Sequence, residues 1–552
     1  MPRTMQYLLA AIGFVLLALL INFGVLDGSW RWDDSQILLH AHQFNWLQDF
    51  TNPEVWQQFS PANLTPLLIL SFEVDLILFG LTPSMFYLHQ LLALAAAAWM
   101  MFLCLKFWCR GGFAVLGGVL FLIGTPTLLV AQQLMTRHYA EGLVLALVAL
   151  YGFVRFVRGG AVLWLVLALV SYALACMAKE VYVPLPLILL CIPDGTFAKR
   201  LRAAAPFFLL TLLYAIWRSW MLESVTGGYA STASFFSGAF IQQVVITFAG
   251  FPRLLGGGWW PVLTLAAVLV LVTYLYIKRH VPWRMLIVAA MVLLPLAPLV
   301  QSPGIVLADR YLLVVWAATS FAIAYMLSQV WQATTESMGW AGTGTVALTG
   351  LLALAAAVQG FSVRSALAAV GKEFDVQGQF LWQQDDSVAM IPSGNVVPAF
   401  WFVTGLRDFK QGLGLGSSPV TVVDDIYLQQ SGVDQLYGWQ QDCQCMVDIS
   451  EQVPGRLAAY EDSLRPQAPL NLRYGYQGGY FTWQFGPYSD GQYHLVSDVI
   501  GVIPAPAAGQ LRATLTDGAP FYIRYTSPEG WMTYSAQQRV VRDGPETAWS
   551  RE

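Results

Sequence analysis

Trp30-Arg31-Trp32-Asp33-Asp34 places two adjacent carboxylates just after the apolar run 6–26. Neighbouring carboxylates raise each other's affinity for a proton, which suits a general base. As hard oxygen donors they also suit a divalent cation such as Mg or Mn, although no spacing signature demands one. A solvated acidic loop is the competing reading. Lys179-Glu180 separates two further apolar runs. Glu180 is a candidate second acid, and with Asp33 and Asp34 a candidate metal ligand, while Lys179 is a candidate phosphate contact. An interfacial ion pair or a snorkelling lysine is the alternative there. In Asp309-Arg310-Tyr311 the planar guanidinium of Arg310 matches phosphate oxygens, against a local pair with Asp309. Arg218, inside Trp217-Arg218-Ser219-Trp220, either snorkels or reaches a phosphate. Arg137 is a further phosphate candidate. His138, Tyr139 and Tyr311 are candidates to line the same chamber, although a histidine near a membrane end is commonly a hydrogen-bonded structural residue.

The elements that must position these groups are membrane helices. The chain is 57% hydrophobic and 11% charged, far from the roughly 25% charge of soluble domains. The apolar character fills residues 1–360, which carry a net charge of +4, whereas 361–552 carry -8. Windows of about 20 apolar residues, enough to cross about 30 Å of hydrocarbon, predict eleven spans. They are 6–26, 85–106, 111–132, 140–156, 161–178, 181–198, 203–222, 261–277, 284–301, 311–330 and 340–360. Arg3, Lys106, Arg110, Arg155, Arg158, Lys199, Arg200, Arg202, Lys278, Arg279 and Arg284 fall on one side, which the positive-inside rule makes cytoplasmic. The other side receives the candidate groups above and the C-terminal region. The periplasmic loop 27–84 is rich in Trp and Phe, and with the segment 237–255 it suits helices lying in the interface. Ionisable groups gathered at one face argue for a polar chamber opening outward. A transporter needs polar groups at the midplane, and the spans are nearly clean there.

Residues 361–552 read as a separate periplasmic domain. Its first half mixes expected strands at 388–392, 400–405 and 418–425 with a helix-like stretch after them. Its second half alternates apolar and polar residues between Gly, Asp and Pro turns, the pattern of a small β-sandwich. This domain is an acceptor or glycan recognition module or a structural cap. Cys443 and Cys445 either pair or stay as thiols, and Cys104, Cys109, Cys176 and Cys191 read as packing residues. There is no P-loop, GxSxG, HExxH or dinucleotide glycine motif, and no basic run for nucleic acid.

The pieces WRWDDSQILLHA, SPANLTPLLILSFEVDLILFGLTPSMFYLHQLL, LACMAKEVYVPLPLILL, YAIWRSWML and ADRYLLVVWAATS, in this order, resemble the glycosyltransferase C superfamily. In particular they are similar to the membrane half of the transmembrane O-mannosyltransferases that carry tetratricopeptide repeats, and to bacterial polyprenyl-phosphate-sugar glycosyltransferases. The resemblance covers about residues 20–330. The chain departs from it in lacking the repeats, and in having Gln132, Gln133, Thr136, Arg137, His138 and Tyr139 where the eukaryotic enzymes carry an acidic segment. The resemblance implies a polytopic α-helical fold and an inverting transfer of sugar from a polyprenyl-phosphate carrier to a protein, lipid glycan or polysaccharide. It makes Asp33 or Asp34 the base or the metal-binding acid. The alternatives are a transporter or flippase of lipid-linked sugars, and a ligase using a diphosphate-linked oligosaccharide. The bacterial inner membrane is the expected location.

Overall fold

The computed structural model describes residues 3–60, 63–223, 284–293, 309–334, 340–393, 399–477, 480–499, 501–512, 517–541 and 544–551, with Val270 and Pro295. The expected span 261–277, the interfacial segment 237–255 and most of the span 284–301 lie outside the described residues. The chain forms two compact units. One comprises Met1–Gly28, Asp49–Pro53 and Ala62–Ala369, and the other Ser29–Gln48, Glu54–Pro61 and Val370–Glu552. Much of the first long loop therefore groups with the C-terminal unit, whereas the sequence division at 360 assigns all of it to the membrane part.

The first unit is helical and membrane-like. Among the described residues five helices are long and apolar enough to cross a bilayer: Thr4–Ile21, Pro83–Leu105, Leu134–Gly159, Phe197–Leu222 and Arg310–Gln329. The expected span 111–132 is two helices, Gly111–Ile123 and Thr125–Ala131, bent by 58°. The bend has a local cause. Gly124 is extended and Pro126 occupies the first turn of the second helix, where its missing N–H costs nothing. The carbonyls of Leu120 and Phe121, left over at the helix end, accept from the indole Nε1 of Trp316 at 3.1 Å each. Helices approach closely over glycine: a Cβ on Gly118 would stand 2.5 Å from the Phe14 ring, and one on Gly117 2.5 Å from Leu105.

The expected spans 161–178 and 181–198 meet at a break. Val162–Ala178 ends where Lys179 turns extended, a short 3-10 turn covers Glu180–Tyr182, and the next helix is only Leu185–Leu190. The carbonyl of Val183, released by the break, accepts from the Tyr172 hydroxyl at 3.0 Å. The expected span 340–360 is the first part of one helix running Trp340–Gln383.

The second unit is β-rich. Its first sheet has β1 (Ala389–Ile391) between β2 (Val420–Thr421) and β3 (Leu436–Gln440), both parallel to it, with β4 (Cys445–Asp448) antiparallel on β3. A parallel pair needs a crossover, and the helix Ala399–Gly412 supplies it between β1 and β2. Residues 400–405, expected as a strand, lie in that helix. Phe402, Val403, Leu406 and Phe409 are buried at helical spacing, a period that the isolated run FWFVTG does not display.

A sandwich follows. Strands β5 (Leu470–Gln477), β6 (Tyr480–Gly486), β9 (Ala508–Arg512) and β13 (Thr547–Arg551) form a sheet of order β13-β5-β6-β9. Strands β7 (Gln492–Ser497), β8 (Gly501–Ala505), β10 (Pro520–Thr526) and β11 (Met532–Tyr534) form the other, of order β11-β10-β7-β8, with β12 (Gln538–Arg539) on β10. Period-two alternation sends Leu470, Leu472, Tyr474 and Tyr476 of β5 inward with Phe481, Tyr493, Phe521 and Ile523. Each such aromatic truncated to alanine would cost about 3–5 kcal/mol.

Candidate functional site

Two groups of the expected site residues are built, one in each unit. In the membrane unit, the extended backbone at Lys179 drops its side chain inward, only 7% exposed, with Nζ 5.4 Å from the Tyr139 ring centroid. Tyr139 meets Tyr311 edge-on at 6.1 Å, and the Arg310 guanidinium lies over the Tyr311 ring at 5.2 Å. His138 packs on Tyr139 at 4.6 Å, within electrostatic reach of both Lys179 and Arg310. Glu180 accepts from Nε of Arg218 at 2.5 Å, and both of these charges act on Lys179. Arg218 thus reaches inward to Glu180. Lys179 and Arg310 flank an aromatic pair, and the Glu180–Arg218 pair lies within electrostatic reach of Lys179. Cationic groups over aromatic faces keep their charge while losing water, which strengthens their hold on an anion.

Arg137, also expected at a phosphate, is engaged differently. It is fully buried, pairs through Nη1 with Asp75 at 2.5 Å and donates through Nη2 to the Phe86 carbonyl at 2.8 Å. The pair extends into a network. His89 Nδ1 stands 2.9 Å from Asp75, Ser71 donates to Glu141 at 2.6 Å, and Arg137 donates to Ser71 at 3.2 Å. Neither Asp75 nor His89 is among the site residues expected from the sequence. The signal was a carboxylate inside the apolar stretch 66–79, with a histidine ten residues past its end.

In the second unit the two aspartates of the opening motif differ. Asp34 is completely buried and its Oδ2 accepts from the backbone N–H of Arg31 at 2.9 Å. Asp33 precedes the helix Asp34–Gln43 as its N-cap residue and is exposed. Ser35 ties the same helix down by donating to the Phe402 carbonyl at 3.1 Å. The expected metal ligands are divided between the units, Asp33 and Asp34 in the second and Glu180 in the first. Asp34 is turned inward onto a backbone donor, Glu180 is held by a guanidinium, and among the described residues no three His, Cys, Asp or Glu side chains converge on a point. Cys443 and Cys445 form a disulfide at the β3–β4 turn, while Cys104, Cys109 and Cys176 are buried thiols.

No protein-family description and no curated protein sequence matches the chain. Several solved structures are similar to it, two of them as follows. One is ArnT from Cupriavidus metallidurans bound to undecaprenyl phosphate, with 13% identity and a TM-score of 0.35 over 78% of this chain and 93% of that one. The other is the archaeal oligosaccharyltransferase AglB from Archaeoglobus fulgidus in complex with an inhibitory peptide and a dolichol-phosphate, with 12% identity and a TM-score of 0.39 over 90% of this chain and 74% of that one. Likenesses at this level assign no activity, and the chemistry rests on the residues described above.

Proposed function

We propose that this chain is an inverting glycosyltransferase that moves a hexosyl or pentosyl unit from a polyprenyl-phosphate carrier to a protein, lipid-glycan or polysaccharide acceptor. The proposal includes a polytopic fold of eleven spans in a bacterial inner membrane, with transfer on the periplasmic face and the C-terminal unit on that side. The observation that carries it is the grouping of Lys179, Arg218 and Arg310 with Tyr139 and Tyr311 beside a broken apolar helix, a setting suited to a phosphate on a lipid tail. The ordered resemblance of the sequence pieces supports the same reading.

By the resemblance of the sequence pieces, and not by any placement of one unit against the other, Asp33, the exposed member of its pair, is the base that accepts the proton of the acceptor hydroxyl while that oxygen attacks the anomeric carbon. The bond from that carbon to the phosphate oxygen breaks, its electron pair leaves with the phosphate, and the added negative charge is met by Lys179 and Arg310. Glu180 keeps Arg218 oriented. The test is transfer from polyprenyl-phosphate sugars by the purified protein in lipid nanodiscs. Asp33→Asn should lower the rate by about 10²–10⁴ with the protein still folded, and Arg310→Ala should weaken binding of polyprenyl phosphate. Full activity in both Asp33→Asn and Glu180→Gln would overturn the assignment. A transporter or flippase of lipid-linked sugars is the second reading, and the buried Asp75–Arg137 pair is the observation in its favour. Flux of carrier across sealed vesicles without transfer would select it.

A further inference from the structure

Trp32 has φ of +47°, in the left-handed region that a bulky non-glycine residue enters only when its surroundings impose it. The surroundings come from the last turns of the helix Trp340–Gln383. Asp375 grips Arg31 with both oxygens, accepting from Nε at 3.0 Å and from Nη2 at 2.7 Å, and also accepts from the backbone N–H of Ser29 at 2.8 Å. Arg31 is 4% exposed, so this forked pair works away from water. Phe374 carries the Trp32 ring at 4.7 Å and is itself braced edge-on by Phe402 at 5.2 Å. Gly371 completes the bed, because a Cβ there would stand 2.7 Å from the Arg31 guanidinium. Positions 371, 374 and 375 share one helix face by spacing. One surface of that helix thus fixes Ser29, Arg31 and Trp32, and the backbone N–H of Arg31 in turn engages buried Asp34.

We propose that Asp375, with Gly371 and Phe374, is the positioning element for the Asp33 carboxylate, and that Arg31 is committed to this clamp. The proposal rests on the glycosyltransferase reading for its consequence in catalysis, but the clamp itself is testable without it. Holding Trp32 in its left-handed turn sets where the next residue emerges, and a displacement of about an ångström at a reacting group is enough to lower a rate by two orders of magnitude.

The experiment compares the full-length protein in nanodiscs with Asp375→Asn, Asp375→Glu, Gly371→Ala and, as comparator, Asp498→Asn, which breaks the Arg407–Asp498 pair elsewhere in the same unit. Two readouts are taken. Hydrogen exchange of the peptide covering 29–34 should speed up at least tenfold in Asp375→Asn and Gly371→Ala and stay unchanged in Asp498→Asn. In the transfer assay, Asp375→Asn should lower kcat 10- to 100-fold with KM for the carrier within twofold, Asp375→Glu should recover part of the loss, and Asp498→Asn should keep kcat. Unchanged exchange in Asp375→Asn overturns the clamp. Faster exchange with unchanged kcat overturns its positioning role. Wild-type protein that exchanges as expected but transfers nothing overturns the glycosyltransferase reading and leaves the clamp standing.

Discussion

Replacing Asp75 by Asn removes one charge from the most deeply enclosed ion pair described in the membrane unit. Arg137 and Asp75 have side-chain exposures of 0% and 1%. Truncating one partner of such a pair costs about 3–5 kcal/mol, because the survivor is left charged in a medium that cannot hydrate it. Here the survivor keeps several supports: the Phe86 carbonyl, the Ser71 hydroxyl and the face of Phe72 at 4.8 Å. Ser71 also links Arg137 to Glu141, whose carboxylate remains. These supports place the expected loss at the low end, about 3 kcal/mol. The assay is a double-mutant cycle of Asp75→Asn, Arg137→Met and the double variant, read by denaturant unfolding in one detergent. The double variant buries no charge at either position, so it should be more stable than Arg137→Met alone, with a coupling of about 2 kcal/mol. Additive losses, or a single-variant cost below about 1 kcal/mol, would refute the view that these charges hold one another.

Three other outcomes are expected. His494 has its affinity for a proton lowered by burial and by the Arg524 guanidinium. The unfolded chain therefore binds the proton more readily, so His494 contributes stability that is present above about pH 6.5 and is lost as pH falls. Unfolding of the β-rich unit followed between pH 7.5 and 5 should show a dependence that His494→Gln flattens. Gly124→Ala would set a Cβ 1.9 Å from the Trp316 Nε1, so the indole must leave the Leu120 and Phe121 carbonyls; a cost of about 2–4 kcal/mol is expected from the clash and the lost hydrogen bonds, measured by thermal unfolding. Finally, transfer assayed in EDTA and again after adding Mg or Mn tests the divalent cation that the carboxylates suit: activity lost to the chelator and restored by the metal is the outcome expected of a metal-assisted transfer, and unchanged activity refutes it.

The sandwich was legible because β5 alternates buried and exposed residues along its length, a period that local chemistry alone imposes. The membrane helices were legible because bilayer thickness turns composition into length. The bend at Gly124 was not, since no hydropathy window registers a single extended glycine backed by a distant indole. The run at 400–405 was misread as a strand because five of its six residues are aromatic or β-branched and carry that propensity, whereas the helical period emerges only when Leu406 and Phe409 are included. Within the candidate site, residue types pointed to Lys179, Glu180 and Arg310. They did not separate Asp33 from Asp34, of which the first is exposed and the second buried. Nor did they show that Arg137 serves Asp75, a partner 62 residues away.

The union of Arg31 with Asp375 also imposes an order in time. The two residues are 344 positions apart, so at synthesis rates of about 5–20 residues per second the early segment waits roughly 20–70 s for its counterpart. Throughout that interval Ser29–Gln48 has been made and most of the unit it belongs to has not. The aspartate proposed to activate the acceptor therefore reaches its final setting only after the last turns of the long helix exist. A chain broken off before residue 370 carries the motif without the surface that shapes it, so the ribosome delivers competence late, and only to chains carried that far.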